Sequence, residues 1–221
     1  RSQEDVVEES AAFFMKKLIS ELPEGEKITL ICTAPLTNVA LLLKVFPEVK
    51  EKIREILLMG GAVAGGNVTA SAEFNIYEDP ESARIVFRSG IPVVMCGLDA
   101  TEKCALTASQ IEKMCQSNNR IARFCGDMAG YSLANGNKYR GNVSIHDAVP
   151  FMYLTHPELF VANKAVLDVE CSDCASSGRT TCDFRWWLLE DSEENVELMD
   201  ADAASFQESL IEAIYESGMQ L

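Results

Sequence analysis

Two groups of side chains in this 221-residue chain have the makings of a chemical site. The first is Asn67, Glu73 and Asn75, in and just after a stretch rich in Gly, Ala, Ser, Thr and Asn. A carboxylate and two carboxamides offer several donors and acceptors. That set suits a polyhydroxylated ligand such as a sugar, which needs paired hydroxyl recognition rather than charge neutralisation. Strand-like alternation across Glu73-Phe74-Asn75 would put the Glu and Asn side chains on one side and Phe74 on the other. The plainer alternative is that Asn67 serves a turn and Glu73 is solvated. The second group is His146-Asp147, and the only other histidine is His156. Imidazole is the side chain best able to exchange a proton near neutral pH. Neighbouring side chains on a helix diverge, so Asp147 does not orient His146 in the manner of a triad. It reads instead as an N-cap or a metal ligand, with a surface His beside a simple cap as the alternative.

These residues need elements to hold them. Lys27–Cys32 (KITLIC), Ile56–Met59 and Ile91–Cys96 (IPVVMC) read as short buried strands. Helical patterns lie before and between them: 4–21, Leu36–Phe46 with a short charged helix 48–54, and a helix from Asp79-Pro80 to Arg88. Strand, helix, strand, helix, strand implies a parallel sheet with helices on both faces, an α/β fold. In such sheets ligands sit beyond the carboxyl ends of the strands. Thr33 follows the first strand, the loop from Gly60 to Ala72 follows the second, and Asp99 follows the third. Loops that long inside a compact domain are often functional. Farther on, Leu98–Leu106 reads as irregular, Thr107 caps a helix, and helical texture continues to about 136. A helix then runs from His146-Asp147 to Thr155. Strands are expected near 165–171, 180–185 and 195–198, and Asp200 is expected to cap a closing helix 201–217. No linker divides the chain, so 1–221 reads as one domain. It opens on Arg1 and on a helix rather than a strand, which reads as a fragment whose sheet lacks its first strands.

Composition removes several function classes. Acidic residues number 34 and basic ones 19, a net charge of −15. Binding to nucleic acid or to an anionic membrane is driven by Lys and Arg, so neither is an expected partner. No apolar run approaches a membrane span and no signal peptide is visible, which points to the cytoplasm. Eight cysteines are then read as reduced thiols. Cys171, Cys174 and Cys182 lack a fourth ligand at zinc spacing. No P-loop, GxGxxG or Ser/His/Asp set is present. Met59 reads as core or pocket lining.

The motifs together are specific. Thr33-Ala34-Pro35-Leu36-Thr37-Asn38, then ILLMGGAVAGGNVTASAEFNIYEDPESARIVF (56–87), GLDATEKCALT (97–107), SIHDAVPFMYLTHPELF (144–160) and the Gly178–Asp183 stretch resemble the inosine-uridine-preferring nucleoside hydrolase family. The resemblance covers essentially the whole chain, as the C-terminal two thirds of a member. It implies a Rossmann-like α/β scaffold, a homodimer or homotetramer, and calcium-dependent cleavage of ribonucleosides to base and ribose. On that pattern the Thr33 carbonyl and the Asp147 carboxylate are calcium ligands. Asn67, Glu73 and Asn75 hold ribose hydroxyls, Met59 packs on the sugar, and His146 is the candidate acid for the departing base. Tyr131, Asn135, Tyr139 and Arg140 are candidates for reading the base. The family's Asp-rich DxDPGxDD motif, which supplies most of the calcium carboxylates, does not occur in this sequence. The resemblance therefore implies an active parent and an inactive isolated chain, with a non-catalytic ribose-binding relative or half of a split enzyme as the alternatives.

Overall fold

The computed structural model of the chain describes residues 8–136, 141–185, 187 and 195–217. The main sheet has five strands: β1 (Ile28–Cys32), β2 (Ile53–Met59), β3 (Val93–Cys96), β6 (Phe160–Lys164) and β9 (Val196–Ala201), in the order β1-β2-β3-β9-β6. Pairing is parallel between β1 and β2 and between β3 and β9. The α/β fold with a mostly parallel sheet is therefore present, with helices around it. No helix among the described residues is long and apolar enough to cross a membrane.

The described chain forms two compact units, each discontinuous in sequence. The first covers 1–95 and 163–197. It holds β1, β2 and most of β3, with α1 (Ala11–Ser20), α2 (Thr37–Val45), α3 (Phe74–Glu78) and α4 (Pro80–Phe87). A two-stranded antiparallel sheet of β7 (Val166–Val169) and β8 (Thr180–Asp183) completes it. Leu42, Ile56, Leu58, Ile76, Val86, Val93 and Met95 anchor one continuous apolar cluster. Burying each such side chain is worth roughly 1.5–3 kcal/mol, which is what holds the strand ends that carry the loops in place. α4 starts as the sequence suggests: Asp79 accepts from the Ser82 N–H at 3.0 Å and Pro80 opens the helix. The charged segment after α2 is a 3-10 turn, Pro47–Lys52, and β2 begins three residues before the apolar run that marks it.

The second unit covers 96–162 and 198–221. It contains α5 (Leu98–Thr101), β4 (Ala105–Thr107), α6 (Ala108–Cys115), α7 (Arg120–Asn135), β5 (Asn142–Ser144), α8 (Val149–Thr155) and α9 (Ala203–Ser217). The stretch 98–106, irregular by sequence, thus holds a turn of helix and a strand that pairs antiparallel with β5. Apolar residues there are too few to show a period, and pairing with β5 supplies the order. Thr107 and Gln110 form a reciprocal capping box at the start of α6. α9 is capped by Asp202, not Asp200: the Ala204 and Ser205 N–H groups donate to Asp202 at 3.2 and 3.1 Å. Asp200 lies in β9 and pairs with Lys103 at 2.8 Å.

Candidate functional site

The loop after β2 is built by a few specific bonds. Gly61 sits at φ +79, and a Cβ there would stand 2.5 Å from the Met95 sulfur. Glycine therefore lets the chain leave β2 over the apolar core. The tip closes on one carbonyl: the N–H groups of Asn67 (3.1 Å), Val68 (3.3 Å) and Thr69 (3.4 Å) all point at Ala72 O. A Cβ on Gly66 would fall 2.1 Å from the same oxygen, so only glycine allows that approach. From β8, the buried Thr180 hydroxyl donates to Ala62 O at 2.6 Å and accepts from the Ala62 N–H at 2.9 Å. Thr180 was visible in the sequence only as part of a motif; its work is to clamp this loop.

Glu73 is 2 % exposed and departs from the expected alternation. It is the N-cap of α3, so Phe74 and Asn75 are helical rather than extended. One carboxylate oxygen accepts from the Asn75 N–H at 3.0 Å, and the other from the N–H groups of Gly61 (3.0 Å) and Ile76 (3.2 Å). Glutamate is an unusual cap, and the local signal for a helix of five residues is weak, which is why an apolar–polar alternation was the natural reading. The cap fixes what surrounds it. Asn75 Nδ2 donates to Met59 O at 3.0 Å and lies 3.4 Å from the Met59 sulfur. Asn67 Oδ1 accepts from the Phe74 N–H at 2.9 Å. Each carboxamide thus spends one end on the backbone. The Asn67 amino group and the Asn75 carbonyl oxygen carry no hydrogen bond among the described residues, so the loop offers one donor group and one acceptor. Hydroxyl groups, which both donate and accept, match that pair. Met59, Asn67, Glu73 and Asn75 are therefore brought together in the first unit. Thr33 is exposed after β1 and bonds none of them.

In the second unit, His146 and Asp147 sit in a 3-10 turn, His146–Ala148, that leads into α8. Asp147 caps neither segment and is exposed, so the N-cap reading does not hold. Partial desolvation pushes the Asp147 carboxyl above its ordinary value, against the opposing pull of His146. Burial likewise lowers the His146 imidazole, with Glu102 and Asp147 pulling the other way. His146 Nδ1 lies 2.8 Å from Thr101 Oγ1. That partner was hidden in the stretch read as irregular. Of the base-reading candidates, Tyr131 on α7 is 73 % exposed and Asn135 donates to Tyr131 O at 2.8 Å within the same helix. Tyr139 and Arg140 lie outside the described residues.

Metal and thiol chemistry find little support here. Among the described residues no three His, Cys, Asp or Glu side chains gather around a common point. Calcium takes six to eight oxygens, and Thr33 and Asp147 would give one carbonyl and one carboxylate. The residues present do not by themselves fit calcium. None of the eight cysteines forms a disulfide. Burial pushes Cys32 up to about 11 and Cys104 up to about 12, far from a reactive thiolate.

Comparison with known proteins adds a family. Residues 1–208 match the model of the inosine-uridine preferring nucleoside hydrolases. A pyrimidine-specific ribonucleoside hydrolase, RihA, of Citrobacter koseri is 37 % identical over 209 residues, 93 % of this chain and 66 % of that protein. The chain thus spans just under two thirds of that relative's length. Among solved structures, a purine-preferring ribonucleoside hydrolase from Gardnerella vaginalis superposes with a TM-score of 0.87 at 29 % identity, over 98 % of this chain and 68 % of that one. The plant nucleoside hydrolase PpNRh1 shares the fold, with a TM-score of 0.87 at 22 % identity, over 97 % and 69 % of the two chains.

Proposed function

This chain belongs to the inosine-uridine preferring nucleoside hydrolase family, and we propose that it is the sugar-binding and leaving-group part of an enzyme that hydrolyses ribonucleosides to base and ribose. The observation that carries the proposal is the pair of half-used carboxamides beside Met59. Asn67 keeps a donor and Asn75 keeps an acceptor, both held by backbone bonds. A site pre-set in this way binds hydroxyls without paying again to order its side chains. Glu73 fixes the loop geometry that sets both carboxamides.

Cleavage of an N-glycosidic bond leaves positive charge on the ribose ring, as in glycoside hydrolysis generally. Ribose hydroxyls held at Asn67 and Asn75 orient the ring for that change. The departing base leaves more readily when it receives a proton or a hydrogen bond, the role assigned to His146. Met59 gives the sugar an apolar floor. Thr33 and Asp147 offer only one carbonyl and one carboxylate, too few oxygens for this chain by itself to hold calcium. The isolated chain is accordingly proposed to bind ribose without turning nucleosides over.

The test is a ribose-release assay of the native protein with uridine and inosine in calcium. The native protein is expected to release ribose, and the 221-residue chain by itself is not. Absence of ribose release from the native protein would leave a ribose-binding relative without catalysis and overturn the hydrolase proposal.

A further inference from the structure

The Thr101–His146 contact settles a question of proton placement. Thr101 is 0 % exposed, and its hydroxyl has one hydrogen-bond partner among the described residues, His146 Nδ1 at 2.8 Å. A hydroxyl carries one proton, and a buried one must give it to an acceptor. If Nδ1 carried a proton and donated to Thr101, the Thr101 proton would be left buried with no acceptor among the described residues. We infer that Thr101 donates to His146 Nδ1 and is a positioning residue that holds the neutral ring as its Nε2–H tautomer. Nε2–H takes no hydrogen bond among the described residues, so the ring offers a fixed donor there.

The chain contains its own contrast. His156 Nδ1 lies 2.9 Å from Thr155 Oγ1, but Thr155 gives its proton to Phe151 O at 3.1 Å. Its oxygen is then left to accept from Nδ1–H, in a place that solvent reaches. Two Thr–His contacts of nearly equal length thus favour opposite tautomers, because one hydroxyl has a carbonyl to bond and the other does not.

The position of Thr101 follows from local structure. β4 and β5 pair antiparallel, with Ala105 opposite Ser144 and the Ile145 N–H on Cys104 O at 2.8 Å. That register brings the end of α5 beside the turn that begins at His146. The Thr101 backbone N–H is bound to Gly97 O at 3.0 Å, so the hydroxyl rests on a fixed turn of helix.

The inference borrows only the role of His146 from the proposed function, and it is tested without substrate. Ring-nitrogen NMR of the 15N-labelled chain at a pH where histidine is neutral reads both tautomers directly, with His156 as internal reference. The expected wild-type result is an unprotonated Nδ1 and a protonated Nε2 on His146, with a preference on the order of tenfold or more, since the alternative strands a buried hydroxyl proton. Thr101→Val should shrink that preference several-fold and Thr101→Ser should restore it. A wild-type His146 protonated at Nδ1 overturns the inference, whether or not the Val variant folds, as does an unchanged preference in a folded Thr101→Val. Absence of nucleoside hydrolysis would leave this signature untouched, and loss of the signature would leave the hydrolase proposal standing.

Discussion

Thr180→Val asks whether the loop after β2 is held from β8. Valine matches threonine in shape, so the core keeps its volume and only the hydroxyl is removed. Thr180 and Ala62 are each 3 % exposed, and the hydroxyl bonds both the N–H and the C=O of Ala62. Neither Ala62 group has another partner among the described residues. A buried polar group left without a partner costs about 1–3 kcal/mol. Two such groups, less about 1 kcal/mol for burying a methyl in place of a hydroxyl, give a net destabilisation of roughly 1–5 kcal/mol. That is a large share of a domain's stability of about 5–15 kcal/mol. Urea unfolding followed by circular dichroism measures it. Thr181→Val is the control: Thr181 is exposed on the same strand, and its replacement should stay within about 0.5 kcal/mol of wild type. A Thr180→Val protein as stable as wild type, or two variants equally destabilised, would refute the clamp.

Two further outcomes follow from the structure. Asp168 pairs with Arg84 at 3.1 Å and Arg88 at 2.5 Å. Burial works against its ionisation, but the Val169 N–H and the two guanidiniums outweigh this and hold its carboxyl below the usual 3.8. A carboxyl depressed in the folded state stabilises fully above its unfolded value and loses that contribution as pH falls through the folded one. Asp168→Asn should therefore flatten the loss of stability below about pH 4; because the pair is partly exposed, it should cost less than about 1 kcal/mol at neutral pH. Thermal melts across acid pH would show this, and an acid limb as steep as that of wild type would contradict it. The second outcome is self-association of the isolated chain. β1 ends the described sheet with every residue half-buried, and Phe13, Leu18, Leu41 and Val45 are each at least 50 % exposed. Light scattering behind a sizing column should give a mass that rises with concentration; a monomer at all concentrations would count against it.

The elements were legible in the sequence where apolar period and cap chemistry agreed. Asp79-Pro80 and Thr107 with Gln110 marked helix starts because their side chains satisfy the first free N–H groups, a local effect. β2 and β3 showed as apolar runs because strands inside a parallel sheet bury both faces. What stayed hidden was set by distant partners. Glu73 looked like a ligand-facing acid in a strand, and became a cap because Gly61, twelve residues away, adds a third N–H to its carboxylate. Asp202 rather than Asp200 caps α9 because Asp200 is held in a strand and by Lys103. Thr101 and Thr180 lay inside motifs but gave no signal of their own, since a threonine's importance here lies in which buried group it meets. The site residues themselves were readable as a set because carboxamides around a Gly-rich loop have few other uses, yet their half-used bonding shows only in three dimensions.

The claim on which the rest depends is that the free amino group of Asn67 and the free carbonyl of Asn75 receive sugar hydroxyls. Adding ribose to the 15N-labelled chain and following its side-chain carboxamides tests this even when binding is weak. The signals of Asn67 and Asn75 should move together and saturably, while that of Asn119, tied to Tyr215 O at 2.9 Å in the second unit, stays in place. Ribose that moves neither signal, or shifts all three alike, would contradict the account.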